Sequence, residues 1–277
     1  MAATPRGPGS SHAGATLSRG RYGRGPSACP PTAKRAYWIS APGARNLKPM
    51  AITPDKPPSG GWLDVAEAAV AGAGMVVFAL FAHSRSVAFA LSPAGLTLTA
   101  AALVRGVVRS RSPLILFGLA PVARKTALYA ALGAALGLAL GVWYRWHIGA
   151  PALPEAFRGF ALVAALIGSA EEILYRGYVQ GRVRRLGAVG AVACAALLHT
   201  AYKSALFALP GEAVMVDFPF IVTATLLGGV AFGVLRELSG GSTSLTAGNV
   251  LAPLAAHAAF DLVVYAELAA APWWVWT

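Results

Sequence analysis

From Trp62 onward the chain repeats one pattern, an apolar run about as long as a bilayer is thick followed by a short polar break. A spanning helix needs about 20 apolar residues, with 17 to 25 tolerated. Seven runs meet that length: Asp64 to Ala82, Val87 to Val108, Ala123 to Arg145, Ala156 to Tyr178, Ala188 to Ala208, Phe218 to Leu235 and Leu245 to Leu268. Asp64 and Glu67 weaken the start of the first, and the second contains Pro93. The pattern predicts an all-α, polytopic transmembrane helix bundle of about seven spans. Gly133-x3-Gly137-x3-Gly141 in the third run predicts close helix contact. No repeat of fixed period is visible.

Composition agrees: 56% of the 277 residues are hydrophobic, 12% are charged and mean hydropathy is +0.59, too apolar for an ordinary soluble domain. Residues 1–60 break the pattern, with ten Pro, eight Gly and no hydrophobic periodicity. Such a segment cannot bury enough surface to offset its ordering entropy, so a disordered basic tail is expected there and a transmembrane helical domain over 61–277. The tail has no apolar h-region of a signal peptide, resembles a transit peptide only in being Arg-rich, and contains Met50, an alternative start.

The net charge of +12 raises nucleic acid as a partner. The tail, however, holds nine Lys/Arg against Asp55 alone, and the rest is nearly balanced at fourteen to ten. A basic surface without aromatic interleaving, attached to an apolar body, fits membrane orientation and not nucleic acid. With a cytoplasmic N-terminus, seven spans put Arg105, Arg109, Arg111, Arg124, Lys125, Arg182, Arg184, Arg185 and Arg236 inside, and Glu155, Glu212 and Asp217 outside. The C-terminal Trp273-Trp274-Val275-Trp276 then anchors at the outer interface. Cys29 and Cys194 imply neither a disulfide framework nor a metal site.

Charges inside the apolar runs carry the chemistry. In Ser169-Ala-Glu-Glu-Ile-Leu-Tyr-Arg-Gly177, Glu171, Glu172 and Arg176 follow an uncharged stretch, and an ionisable group in hydrocarbon costs roughly 2.5 to 3.5 kcal/mol. Glu172 and Arg176 are spaced i, i+4 and can pair, whereas Glu171 points about 100° away, with no cation at helical spacing. The plainer reading makes Arg176 one of the basic residues that mark a cytoplasmic helix end. Further along lie His199, Lys203, Asn249, His257 and Asp261. Counted at 1.5 Å per residue, Glu171 lies roughly 10 Å deep, His199 roughly 16 Å and His257 roughly 18 Å, one layer shared by three helices. His257 and Asp261 share a face as two ligands, or a base and its orienting carboxylate, would. Any one intramembrane histidine is also explained by packing, and Lys203 and His147 read as interfacial. Together the group suits water activation, with a carboxylate as general base and imidazoles holding a metal or an oxyanion.

Glu171-Glu172-x3-Arg176-Gly177, His199 in the next helix and His257-x3-Asp261 in a later one resemble the CAAX prenyl protease and bacteriocin-processing (CPBP, or Abi) family of intramembrane endopeptidases. The resemblance covers Glu155 to Leu268; it departs at Ala195, where the family usually has Phe four residues before the histidine. It implies Glu171 as the base that activates water, His199 sharing that water or a metal, and His257 and Asp261 stabilising the oxyanion or completing the ligand set. Glu172 and Arg176 are implied as an ion pair that fixes the motif helix. Zinc held by Glu171, His199 and His257 is left open, although no His-Glu-x2-His signature is present. The implied partners are membrane lipid and a peptide or protein substrate with a membrane-associated segment, and the implied location is a bacterial plasma membrane. A non-enzymatic scaffold or immunity protein of the same fold is the alternative. A proton-coupled transporter is a further one, without the internal symmetry that transport would favour.

Overall fold

The computed structural model describes residues 61–82, 91–119, 124–208, 217–240 and 248–268. The tail, Met50, His83, Glu212 and the C-terminal tryptophans lie outside the described residues. All elements described are helical: α1 (Gly61–Ala82), α2 (Leu91–Arg109), the short α3 (Pro113–Leu116), α4 (Arg124–His147), α5 (Phe160–Glu172), α6 (Gln180–Arg182), α7 (Gly187–Phe207), α8 (Phe218–Ser239) and α9 (Leu251–Val264). A π-helical segment, Ile173–Val179, joins α5 to α6, so that 160–182 is one continuous helix carrying the acidic motif.

Five helices among the described residues are long and apolar enough to cross a membrane: Gly61–Ala82, Leu91–Arg109, Lys125–His147, Arg184–Phe207 and Phe218–Ser239. Leu96, Leu98, Val104, Leu128, Leu132, Leu197 and Leu227 on these helices are exposed, an arrangement suited to lipid and not to water. The chain is an integral, multi-pass membrane protein. The expected count of about seven spans is therefore approximate. The motif helix is long enough, but its charges at 171, 172, 176 and 182 disqualify it as an apolar span. α9 has 14 residues, about 21 Å, well short of the Leu245 to Leu268 run. It starts at Leu251, whose N–H donates to the Asn249 side-chain oxygen at 2.8 Å. Pro93 falls in the first turn of α2, where its missing N–H costs little.

Two packing devices position the motif helix and α9. The motif helix lies in a core of Tyr175, Tyr178, Val179 and Val183 against Ala68 and Ala71 of α1 and Ala191 and Ala195 of α7, and Tyr178 donates to the Ala102 carbonyl at 2.6 Å. Its basic end is tied down by Glu67, which accepts from Arg105 at 3.0 Å, from Arg109 at 2.5 Å and from Arg182, itself 3.1 Å from Asp64. The two acids that weaken the first apolar run are therefore the partners of the basic residues on α2 and the motif helix.

On the other side, Gly133, Gly137 and Gly141 face α9, as the small-residue pattern predicts. A methyl group at Gly137 would sit 1.9 Å from the Ala256 carbonyl oxygen, and one at Gly133 would sit 2.3 Å from that of Ala252. The two backbones are in contact there, and α9 is held at a distance that only glycine permits. At one end of the bundle Lys125 donates to the Gly240 carbonyl and Arg184 pairs with Glu237. At the other, Arg145 pairs with Glu267 and His147 with Asp217.

Candidate active site

The acidic motif sits at a change of helical geometry. Glu171 and Glu172 close α5, and the next seven residues widen into π-helix, a distortion found mostly at functional positions. Both carboxylates are buried, on diverging directions of one turn: Glu171 reaches α7 and Glu172 reaches α9.

Four groups surround the Glu171 carboxylate. Its Oε2 lies 3.2 Å from His199 Nε2 and 3.9 Å from His257 Nε2. Its Oε1 accepts from Lys203 Nζ at 2.7 Å and from the Tyr202 hydroxyl at 3.3 Å. Glu171 has no cation at helical spacing on its own helix, and Lys203 of α7 supplies one. Helical spacing along 160–182 could not reveal a cation delivered by a different helix. His147 does lie at an end of the bundle, stacked on Phe220 with ring centres 3.5 Å apart.

Glu172 and Arg176 pair at 3.0 Å, both fully buried, as their i, i+4 spacing predicts. The pair also orients both histidines. Arg176 Nη1 lies 2.9 Å from His199 Nδ1, and Glu172 Oε1 lies 2.8 Å from His257 Nδ1. A guanidinium only donates, so His199 Nδ1 must accept and the ring carries its proton on Nε2, directed at Glu171. A carboxylate only accepts, so His257 Nδ1 donates to Glu172 and Nε2 faces the remaining polar groups. The partners, not the sequence, assign these tautomers. The two imidazoles lie 6.0 Å apart, the single layer expected from three separately counted helices.

Asp261 stands one turn from His257, its Oδ2 3.8 Å from Nε2. It lines two cavities that flank the site. The larger, about 110 Å³, runs between α4, α7, α8 and α9 past Leu140, Trp143, Phe220 and Phe260 to His199, Lys203 and His257. The smaller, about 50 Å³, is bounded by α1, α5, α7 and α9 and reaches Glu171 and Tyr202. Lys203, Asp261 and Tyr265 belong to both walls.

Gly168, one turn before Glu171, lets α9 approach. A methyl there would fall 2.3 Å from Asp261 Oδ2 and 2.7 Å from the His257 ring. Gly168→Ala is therefore expected to lower turnover by about 10²-fold through displacement of these two side chains, as an ångström-scale misplacement can. Steady-state kinetics beside a melting curve check this; unchanged kcat would remove Gly168 from the site.

Glu171, Glu172, Arg176, His199, His257 and Asp261 are thus all brought together. Sequence reasoning missed Tyr202 and set Lys203 aside as interfacial, although Lys203 is spaced i, i+4 from His199. It also missed Tyr175, whose ring lies 4.7 Å from His199, and Phe232, over which Arg176 sits at 5.7 Å. Ala195, in the place of the family's aromatic, is buried in the core beside Tyr175. The residues do not fit the zinc site that was left open. His199 has Nδ1 taken by Arg176 and a proton on Nε2, which leaves no lone pair for a metal, and no group of three or more metal-ligating side chains is suitably arranged among the described residues.

No curated protein and no solved structure has significant similarity to the chain. A family model described as type II CAAX prenyl endopeptidase Rce1-like matches residues 153–263, a stretch that begins just before α5 and ends in α9. It takes in Glu171, Glu172, Arg176, His199, His257 and Asp261 and matches the resemblance that the three motifs carry. Within this membrane protein, residues 153–263 are similar to the Rce1-like type II CAAX prenyl endopeptidases.

Proposed function

We propose that this protein is an endopeptidase of a bacterial plasma membrane that hydrolyses a peptide bond in a membrane-associated substrate, with water activated by Glu171 and no metal. The observation that carries this reading is the Glu171 carboxylate held 3.2 Å from His199 Nε2 and 3.9 Å from His257 Nε2, on the wall of the smaller cavity, with both histidines on the wall of the larger. The separations of 3.9 Å from Glu171 and 3.8 Å from Asp261 to His257 Nε2 exceed direct hydrogen bonds, and each is a gap that a water bridges with hydrogen bonds of about 2.8 Å. Glu171 takes one proton from that water as its oxygen attacks the scissile carbonyl. The tetrahedral intermediate then collapses, the C–N bond breaks, and the Glu171 proton passes to the leaving amine. His199, fixed as a donor by Arg176, orients the base. His257, fixed through Nδ1 by Glu172, presents Nε2 to the water. The aromatic and aliphatic lining of the larger cavity suits an apolar or lipid-bearing segment beside the scissile bond.

The test uses the purified protein in liposomes with three classes of peptide: prenylated C-termini, leader peptides and sorting tails with a membrane segment. Mass spectrometry is expected to find one cleaved bond in one class, with turnover unchanged by EDTA or 1,10-phenanthroline. Loss of turnover to chelator, restored by zinc, would overturn the metal-free reading. Absence of cleavage in all three classes would favour the scaffold.

A further inference from the structure

We propose that Lys203 is a catalytic residue that binds the tetrahedral oxyanion in this site, an inference that rests on the peptidase reading above. The chemistry of the donors leads to it. A developing alkoxide must be met by groups that donate. Asp261 as a carboxylate only accepts and His257 as a neutral ring, its Nδ1–H given to Glu172, has a lone pair on Nε2, so each needs a further proton before it can donate there. His199 directs its single N–H at Glu171. Tyr202 donates to Glu171 as well. Lys203 carries three donors, and among the described residues one is used, on Glu171 Oε1 at 2.7 Å. Its side chain is 19% exposed, in contrast to the 5% of Glu171, and lines both cavities. Tyr265 lines the same walls, but it is neutral and makes no hydrogen bond to Glu171 among the described residues.

Charge moves in the direction this role requires. In the resting site Lys203 faces the Glu171 carboxylate. As water attacks, the O–H bond breaks and its proton goes to Glu171, the new C–O bond forms, and the carbonyl π pair becomes the alkoxide lone pair. Glu171 loses its negative charge in the step in which the substrate oxygen gains one. The ammonium, on a flexible four-carbon stem, exchanges one anion for the other without gaining or losing a proton. When the intermediate collapses, the pair returns to the carbonyl, the amine leaves with the Glu171 proton, and Lys203 again faces a carboxylate. This interaction is stronger in the transition state than in the ground state, so its loss should appear in kcat.

The experiment is steady-state kinetics of wild type, Lys203→Met, Lys203→Arg and Glu171→Gln in liposomes across pH, with melting curves. Lys203→Met is expected to lose about 10² to 10³-fold in kcat at every pH, as removal of one oxyanion donor does, with KM within about threefold. Lys203→Arg, which keeps the charge, is expected to recover part of that loss and serves as the folded comparison if the Met variant melts early. A kcat for Lys203→Met within about threefold of wild type, or one restored at alkaline pH because Lys203 only keeps Glu171 ionised, would overturn the proposal while leaving the peptidase intact. Equal turnover in wild type and Glu171→Gln would instead overturn Glu171 as the base and this inference with it, whereas absence of cleavage by wild type would overturn the peptidase reading itself.

Discussion

Glu171→Gln is expected to lower peptidase turnover by about 10² to 10⁴-fold, the contribution of a positioned general base, while the protein remains inserted and melts close to wild type. The amide keeps the shape of the side chain, and its oxygen still accepts from His199 or Lys203, so packing changes little. What is lost is the ability to take a proton from water. Glu172→Gln, one residue later, should act differently. It removes the charge opposite Arg176 in a fully buried pair and loosens the partner of His257 Nδ1. Breaking one side of a buried ion pair costs about 3 to 5 kcal/mol because the remaining charge is left uncompensated, so a clear fall in melting temperature should accompany reduced turnover. Both variants assayed for turnover and melting decide the matter. Full activity in Glu171→Gln would sink its assignment as the base, and the reverse pattern would exchange the two roles.

Gly137→Ala is expected to lower both stability and turnover, although the residue touches no catalytic group. Its Cβ would stand 1.9 Å from the Ala256 carbonyl oxygen, a contact with backbone that no rotamer can relieve. α4 and α9 must separate, and His257, the residue after Ala256, moves with α9. Overpacking of this kind costs about 1 to 3 kcal/mol, and an ångström of misplacement at the site costs about 10² in rate. Gly159→Ala, where nothing lies within 4 Å of the added methyl, is the control and should behave as wild type. Normal turnover in Gly137→Ala would mean that the α4–α9 contact does not set the position of His257.

The sequence by itself determined the features that depend on local periodicity and on the cost of charge in hydrocarbon. Apolar run length identified a membrane helix bundle, and i, i+4 spacing identified the Glu172–Arg176 pair and the shared face of His257 and Asp261. Depth counting placed Glu171, His199 and His257 in one layer because helical rise is constant. The glycine spacing at 133, 137 and 141 marked a close contact without naming its partner, which is α9. Tertiary structure decided whatever depends on how helices face one another. Lys203 meets Glu171 across two helices, so no spacing within either could show that the base has a cation. The proton positions on His199 and His257 follow from Arg176 and Glu172 as partners, and these came from packing. The fit against zinc follows from those same contacts and not from residue types, which suit the metal well enough. Two other features lay beyond local pattern: the π-helical widening after Glu172, and the start of α9 only at Leu251. Both are settled by competition between helical hydrogen bonds and side-chain contacts made elsewhere in the bundle, a balance that hydropathy and spacing along one segment do not contain.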